Sequence, residues 1–310
     1  LVKPSTFYPS RKPLDDADKD DPITHAYEPF FASYDQASRE ANGVYYTPTE
    51  LVSQIVDGVD YLLKNSLGRK DGILDDEASF LDPATGTGTF LLGLGKKAEQ
   101  KALELGLPRD IAVKSLLLNQ VSAFELFPGP YAIAHQRIDA YLKGLGIVSE
   151  EPLPIYLTDT LAAPRKGKAR SNSNFGVFGS EIISEGRKAD RIKASDDLLV
   201  IFGNPPWERI KADRNPFDKF SQHLMQLLKE NTPKTSRSSL KSARDLFVAF
   251  WLWSLWALQG PAERGLEGGL PKIEQSTSNG IVAFVTNRTW IHGKSLSGLR
   301  GLVRSGASEI

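Results

Sequence analysis

Leu81-Asp82-Pro83-Ala84-Thr85-Gly86-Thr87-Gly88-Thr89-Phe90 is the stretch whose reading decides the fold. A short apolar run, Ala78 to Asp82, ends in an acid and is bounded by Pro83, as suits a buried strand. The chain then turns on glycines, and a helical run extends from Phe90 to about Leu105. Gly86 and Gly88 let the backbone take positive φ or approach a ligand closely. The dinucleotide fingerprint G-x-G-x-x-G would place its third glycine at position 91, where Leu91 stands. The acid also precedes the turn, a poor place for it if a pyrophosphate sat there. A carboxylate beside such a loop suits a ligand with a cationic end. The plainer alternative is a strand-to-helix turn that binds nothing.

Outward from this stretch, the same alternation repeats. Val121 to Glu125, Ile155 to Asp159, Leu198 to Phe202 and Ile281 to Val285 read as further strands. Helical spacing occurs at Leu51, Ile55, Val59, Leu62 and Leu63, with Thr47 as N-cap and Pro48 at the first helical position. Further helices are expected around Tyr131 to Leu145 and over the apolar run Leu246 to Leu258. Strands alternating with helices predict an α/β fold: a mostly parallel sheet with helices on both faces, plus an N-terminal helical appendage. Two polar, basic stretches, about 162–196 and 209–243, read as solvated surface loops flanking the fourth strand.

Other residues bear on chemistry. Glu125 ends the second strand, where an acid in this fold class bonds ribose hydroxyls; an exposed strand-end acid is the alternative. Asp159 closes the third strand, placed to accept from an adenine amine, with Leu161 near enough to pack on the ring. Asp at a strand end is also ordinary turn chemistry. In Gly203-Asn204-Pro205-Pro206-Trp207, two prolines must end the strand and leave carbonyl oxygens without ladder partners. Asn204 adds a side-chain carbonyl and Trp207 a flat face, a pairing suited to a planar group bearing NH₂, such as a flipped base. Tyr45-Tyr46-Thr47-Pro48 sets an aromatic pair before a helix, either in the site or as a packing staple.

Composition excludes several classes. The 310-residue chain has no cysteine, hence no disulfide, thiolate metal site or cysteine nucleophile. Its 38 basic and 38 acidic residues cancel, which removes the simplest argument for a polyanion partner. The four histidines are scattered, with no metal-ligand spacing, so no metal is expected. Gly293-Lys294-Ser295 resembles a P-loop tail, but Arg288 stands where that pattern requires glycine. The run at 246–258 is too short to span a bilayer, no signal peptide is visible and a cytoplasmic location is expected. Without an initiator Met, the chain reads as part of a longer protein.

In this order the strings resemble the S-adenosylmethionine (SAM)-dependent DNA adenine N6-methyltransferases, in their gamma arrangement. The runs D-P-I-T-H-A-Y-E-P-F-F, G-V-Y-Y-T-P-T-E-L-V and P-L-P-I-Y-L-T-D-T-L resemble the methyltransferase part of single-polypeptide restriction–modification and phage-defence enzymes. The resemblance implies a Rossmann-like fold, with residues 1–70 a lead-in and helix carrying the Tyr45–Pro48 motif and 71–310 the catalytic domain. It implies that Asp82, Pro83, Ala84, Thr85, Gly86, Gly88 and Phe90 hold the methionine end of SAM, Glu125 the ribose and Asp159 the adenine amine. Tyr46, Thr47 and Pro48 would close that pocket. Asn204, Pro205, Pro206 and Trp207 form the catalytic tetrad, with Trp207 standing where Tyr or Phe is usual and Asn204 also facing the cofactor. The implied partner is double-stranded DNA with a flipped adenine, alongside nuclease or helicase domains or subunits outside these residues. A target-recognition region is expected beyond position 310. A protein glutamine or RNA base as substrate, or a non-catalytic scaffold in a defence complex, are the competing readings.

Overall fold

The structure is a computed structural model and describes residues 47–164, 176–195, 197–208, 219–235, 245–259 and 280–307. Within them the elements run α1 (Thr49–Asn65), β1 (Phe80–Asp82), α2 (Thr89–Leu105), α3 (Arg109–Ser115), β2 (Val121–Glu125), α4 (Pro128–Gly144) and β3 (Ile155–Leu157). They continue with α5 (Gly176–Ala194), β4 (Val200–Gly203), α6 (Lys219–Asn231), α7 (Leu246–Ala257), β5 (Ile281–Phe284), α8 (Thr289–His292) and α9 (Ser297–Gly306). The five strands form one sheet in the order β3-β2-β1-β4-β5, every neighbouring pair parallel. This is the Rossmann-like arrangement expected from the sequence. The order reverses between β1 and β4, and there the connections leave the sheet in opposite directions.

Alternation along each short strand divides the core in two. Phe80, Ala123, Val200 and Phe202 point to one face, where they share an apolar cluster with Val52 and Val59 of α1, Leu94 of α2, Val113 of α3 and Ile138 of α4. Leu81, Phe124 and Ile201 point to the other, against Ala189 of α5, Leu224 and Leu228 of α6, Phe247 and Trp253 of α7 and Leu299 of α9. Strands buried on both faces read as continuous apolar runs, as these do. Helix α7 is apolar on every side and correspondingly enclosed. Among the described residues no helix is long and apolar enough to cross a membrane.

Three details differ from the sequence reading. The stretches 162–196 and 209–243 are not simply loops: each contains a helix, α5 and α6. Their charged surface hides a narrow apolar stripe, Ala189 with Ile192 in one and Leu224 with Leu228 in the other. Helix α4 begins at Pro128, ahead of the expected Tyr131, because prolines fit a first turn whose N–H groups need no helical partner. Thr47 is not the N-cap of α1. Pro48 occupies that position, and its carbonyl accepts from the N–H groups of Leu51 and Val52 at 3.0 and 3.1 Å. The Thr47 side chain is used elsewhere.

Candidate active site

The candidate residues gather at the C-terminal ends of the strands, centred on the β1/β4 reversal. Asp82 is the last residue of β1 and is 0% exposed. One carboxylate oxygen, Oδ1, accepts from the Ala84 N–H at 3.1 Å, while Oδ2 has no hydrogen-bond partner. Burial, with the nearby Glu125 charge adding to it, pushes the Asp82 carboxyl up to about 7. An anion is therefore poorly tolerated there unless a cation joins it. The hydroxyl of buried Thr85 makes no hydrogen bond of normal geometry, but it lies close enough to the Asp82 carboxyl to offset part of that rise.

The loop between them is built on glycine. Gly86 and Gly88 take φ of 55° and 81°, and Gly88 is the N-cap residue of α2. Side chains would strain both positions. Behind the loop, the buried Arg137 of α4 donates to the Thr87 carbonyl at 2.8 Å and its hydroxyl at 3.0 Å, so a guanidinium holds the turn in place. Phe90 faces the core, its ring edge-on to Phe202 at 5.7 Å, and supports the loop from below.

Glu125 ends β2 and is also buried. Its Oε2 accepts from the Gly86 N–H at 2.9 Å, and its Oε1 from those of Leu126 and Phe127 at 2.9 and 2.8 Å. Burial raises its carboxyl despite these three amides. A carboxylate offers about four lone-pair directions, so one remains for a ligand hydroxyl.

The third expected residue, Asp159, lies just past β3 and is exposed. Its loop is anchored twice. The Thr160 hydroxyl donates to the Pro83 carbonyl at 2.5 Å, tying it to the glycine loop. Lys193 of α5, only 1% exposed, donates to the Asp159 carbonyl at 2.6 Å and sits over the Phe124 ring. Leu161 is packed in the core beside Phe124.

Across the reversal, β4 ends at Gly203 and runs into Asn204. Gly203 has φ of 148°, and a Cβ there would fall 2.6 Å from Asp82 Oδ1. The absent side chain lets the carboxylate lie directly against the neighbouring strand. Asn204 Nδ2 donates to Thr47 Oγ1 at 2.9 Å, whereas its Oδ1 is buried without a partner. Pro205 is buried, Pro206 half-buried, and Trp207 is half-buried with its indole N–H donating to the Val285 carbonyl at 3.3 Å. That bond fixes the ring at the end of β5.

The structure thus brings together Thr47, Asp82, Thr85, Gly86, Gly88, Glu125 and Asn204, and sets Phe90 beneath them. Tyr45 and Tyr46 lie outside the described residues. Arg137 and Lys193 neighbour these candidates without having been singled out in the sequence, and Gly203 was quoted there only as part of the strand end, with no role of its own. Nothing in the sequence marks Arg137 and Lys193, whose partners lie 50 and 34 residues away. Among the described residues no group of His, Asp or Glu could hold a metal ion.

Comparison with known proteins gives a consistent picture. The N-6 DNA Methylase family pattern matches residues 18–232. No curated protein matches the chain significantly. Among solved structures, the chain is similar to the DrdV–DNA complex, with 27% identity and a TM-score of 0.67 over 94% of this chain and 25% of that one. It is also similar in fold to the ATP-dependent Type ISP restriction–modification enzyme LlaBIII bound to DNA: 24% identity, TM-score 0.68, over 91% of this chain and 17% of that one. A third is a nuclease-deletion mutant of the Type ISP enzyme LlaGI with a DNA substrate mimic: 21% identity, TM-score 0.66, over 90% and 21%. The chain spans a quarter or less of the length of each of these.

Proposed function

Since the chain belongs to the N-6 DNA methylase family, we propose that it transfers a methyl group from SAM to the N6 amine of an adenine in DNA, within a restriction–modification or other phage-defence system. The observation that carries this reading is the set of three buried oxygens without partners on either side of the β1/β4 reversal: Asp82 Oδ2, Thr85 Oγ1 and Asn204 Oδ1. Buried polar atoms are nearly always satisfied, and three oxygens left unsatisfied together at the strand ends call for an explanation, which a bound ligand would supply.

The residues present fit SAM. Asp82 is a buried carboxyl short of a positive partner, which the amino group of the methionine moiety would supply. Thr85 lies in the same loop, Glu125 retains acceptor capacity for ribose, and exposed Asp159, whose Oδ1 accepts from the Leu161 N–H at 3.0 Å in a local turn, keeps Oδ2 for the adenine amine. When bound, SAM supplies an electrophilic methyl carbon on a positively charged sulfur that leaves as a thioether.

The chain's own contribution is to hold the nucleophile. An exocyclic adenine amine is weakly nucleophilic because its lone pair is delocalised into the ring. Asn204 Oδ1 and the Pro205 carbonyl accept its two hydrogens, favouring a pyramidal nitrogen whose lone pair faces the methyl group. Trp207, held through Val285, offers a stacking face worth about 1–3 kcal/mol, comparable with the cost of unstacking a base. Catalysis is then positioning and electrostatics, with no covalent enzyme intermediate. Nuclease or motor functions, and the recognition of a DNA sequence, belong in this proposal to the longer protein.

The test is to incubate the full-length protein with SAM and DNA and digest the DNA for mass spectrometry. N6-methyladenine is expected, with Asn204→Ala abolishing it while SAM binding persists. Methyl incorporation into RNA or protein but not DNA would overturn the substrate, and SAM binding without transfer would favour a scaffold.

A further inference from the structure

We propose that Thr47 is a positioning residue for methyl transfer, orienting the Asn204 carboxamide so that its oxygen faces the substrate amine. This inference rests on the function proposed above. It assigns Thr47 a part beyond closing the cofactor pocket.

A carboxamide has two unlike ends of nearly equal shape. Turned one way, Asn204 presents an acceptor to the amine; turned the other, it presents an NH₂ group that repels the amine's hydrogens and accepts nothing. The backbone around it is restricted by Pro205, so the rotation of the side chain is the freedom left to control. The bond from Nδ2 to Thr47 Oγ1 at 2.9 Å engages the nitrogen and leaves Oδ1 buried and unpartnered. Thr47 is 6% exposed, so water cannot readily replace it.

The placement of Thr47 fits this use. It stands one residue before the cap of α1, close to where a threonine would ordinarily cap the helix, yet Pro48 fills the cap position and no side chain caps it. The hydroxyl is thus available to a residue 157 positions away. Because α1 packs in the same apolar cluster as Phe202 of β4, the distance between hydroxyl and carboxamide is set by the core itself. A valine at 47 would fill almost the same volume without accepting a hydrogen bond. Serine would keep the acceptor.

The experiment measures methyl transfer to DNA by the full-length protein, with SAM affinity read separately by calorimetry. Thr47→Val is expected to lower kcat roughly ten- to a hundredfold, the scale of a misplaced reacting group. Because valine keeps the volume with which Thr47 would close the cofactor pocket, SAM affinity should stay within about threefold of wild type, so that the loss falls on kcat. Thr47→Ser should restore most of the rate, and Thr47→Ala, which removes the acceptor together with the γ-methyl, should lose at least as much rate as Thr47→Val. A folded Thr47→Val enzyme with unchanged kcat overturns the proposal, as does a parallel loss of SAM binding and transfer in the Val and Ala variants, which would make Thr47 a cofactor contact only. A wild-type protein that methylates no DNA removes the functional reading itself, and this role with it.

Discussion

Replacing Asp82 with asparagine should stabilise the ligand-free protein while destroying its ability to bind SAM. The carboxyl is wholly enclosed, one of its oxygens has no partner, and its pKa stands near 7 against an ordinary 3.8. The sign follows from linkage. Between pH 4 and 7 the folded state keeps a proton that the unfolded state releases, so stability falls as pH rises through that window, then levels off above 7. The full shift corresponds to about 4 kcal/mol at pH 8, and only about 1 kcal/mol at pH 4.5, where the folded state keeps its proton and the unfolded state, at its ordinary 3.8, stands less than one pH unit past its midpoint. Asparagine has the same shape, can accept the Ala84 N–H through its oxygen and never ionises. Like the protonated acid it is neutral and places donors on the unpartnered side, two N–H in place of one O–H, so the difference that changes with pH is the charge. Denaturation of wild type and Asp82→Asn without SAM, at pH 4.5, 6 and 8, should show the variant more stable by an amount that grows with pH. Near pH 8 the difference should reach roughly 8 °C in Tm for a chain of this size. An Asn variant that is less stable than wild type at pH 8, or whose advantage does not change with pH, would refute the reasoning.

Two further outcomes follow from the same geometry. Because Asp82 must ionise to pair with the cofactor's ammonium, SAM binding by the wild-type protein should weaken about tenfold for each pH unit below 7, measured calorimetrically. Gly203→Ala puts a Cβ 2.6 Å from Asp82 Oδ1 at a φ of 148°; it should cost roughly 1–3 kcal/mol in urea denaturation and weaken SAM binding as the carboxylate is displaced.

The sheet was legible because its strands are buried on both faces. Phe80-Leu81, Ala123-Phe124 and Ile201-Phe202 each send neighbouring side chains into opposite cores, which leaves continuous apolar runs between polar stretches. The glycine loop and Asn204 were legible for another reason: unusual residues stand at strand ends, where a parallel sheet presents its ligand sites. Helices α5 and α6 were obscured because each buries a stripe too narrow to stand out among many charges. Contacts between distant residues left no local trace. Lys193 holds the Asp159 loop and Arg137 holds the glycine turn, yet in sequence each is one basic residue among many. Thr47 was drawn toward the wrong role by a sound local rule. Its position before Pro48 suits a helix cap, and only the fold shows its hydroxyl on Asn204.

Calorimetric titration of the folded protein with SAM at pH 8, in wild type and Asp82→Ala, tests most directly whether the β1/β4 crevice is a cofactor site. The account predicts saturable one-to-one binding by wild type and none by the variant. Absence of binding by folded wild-type protein, or equal binding by both, would contradict it.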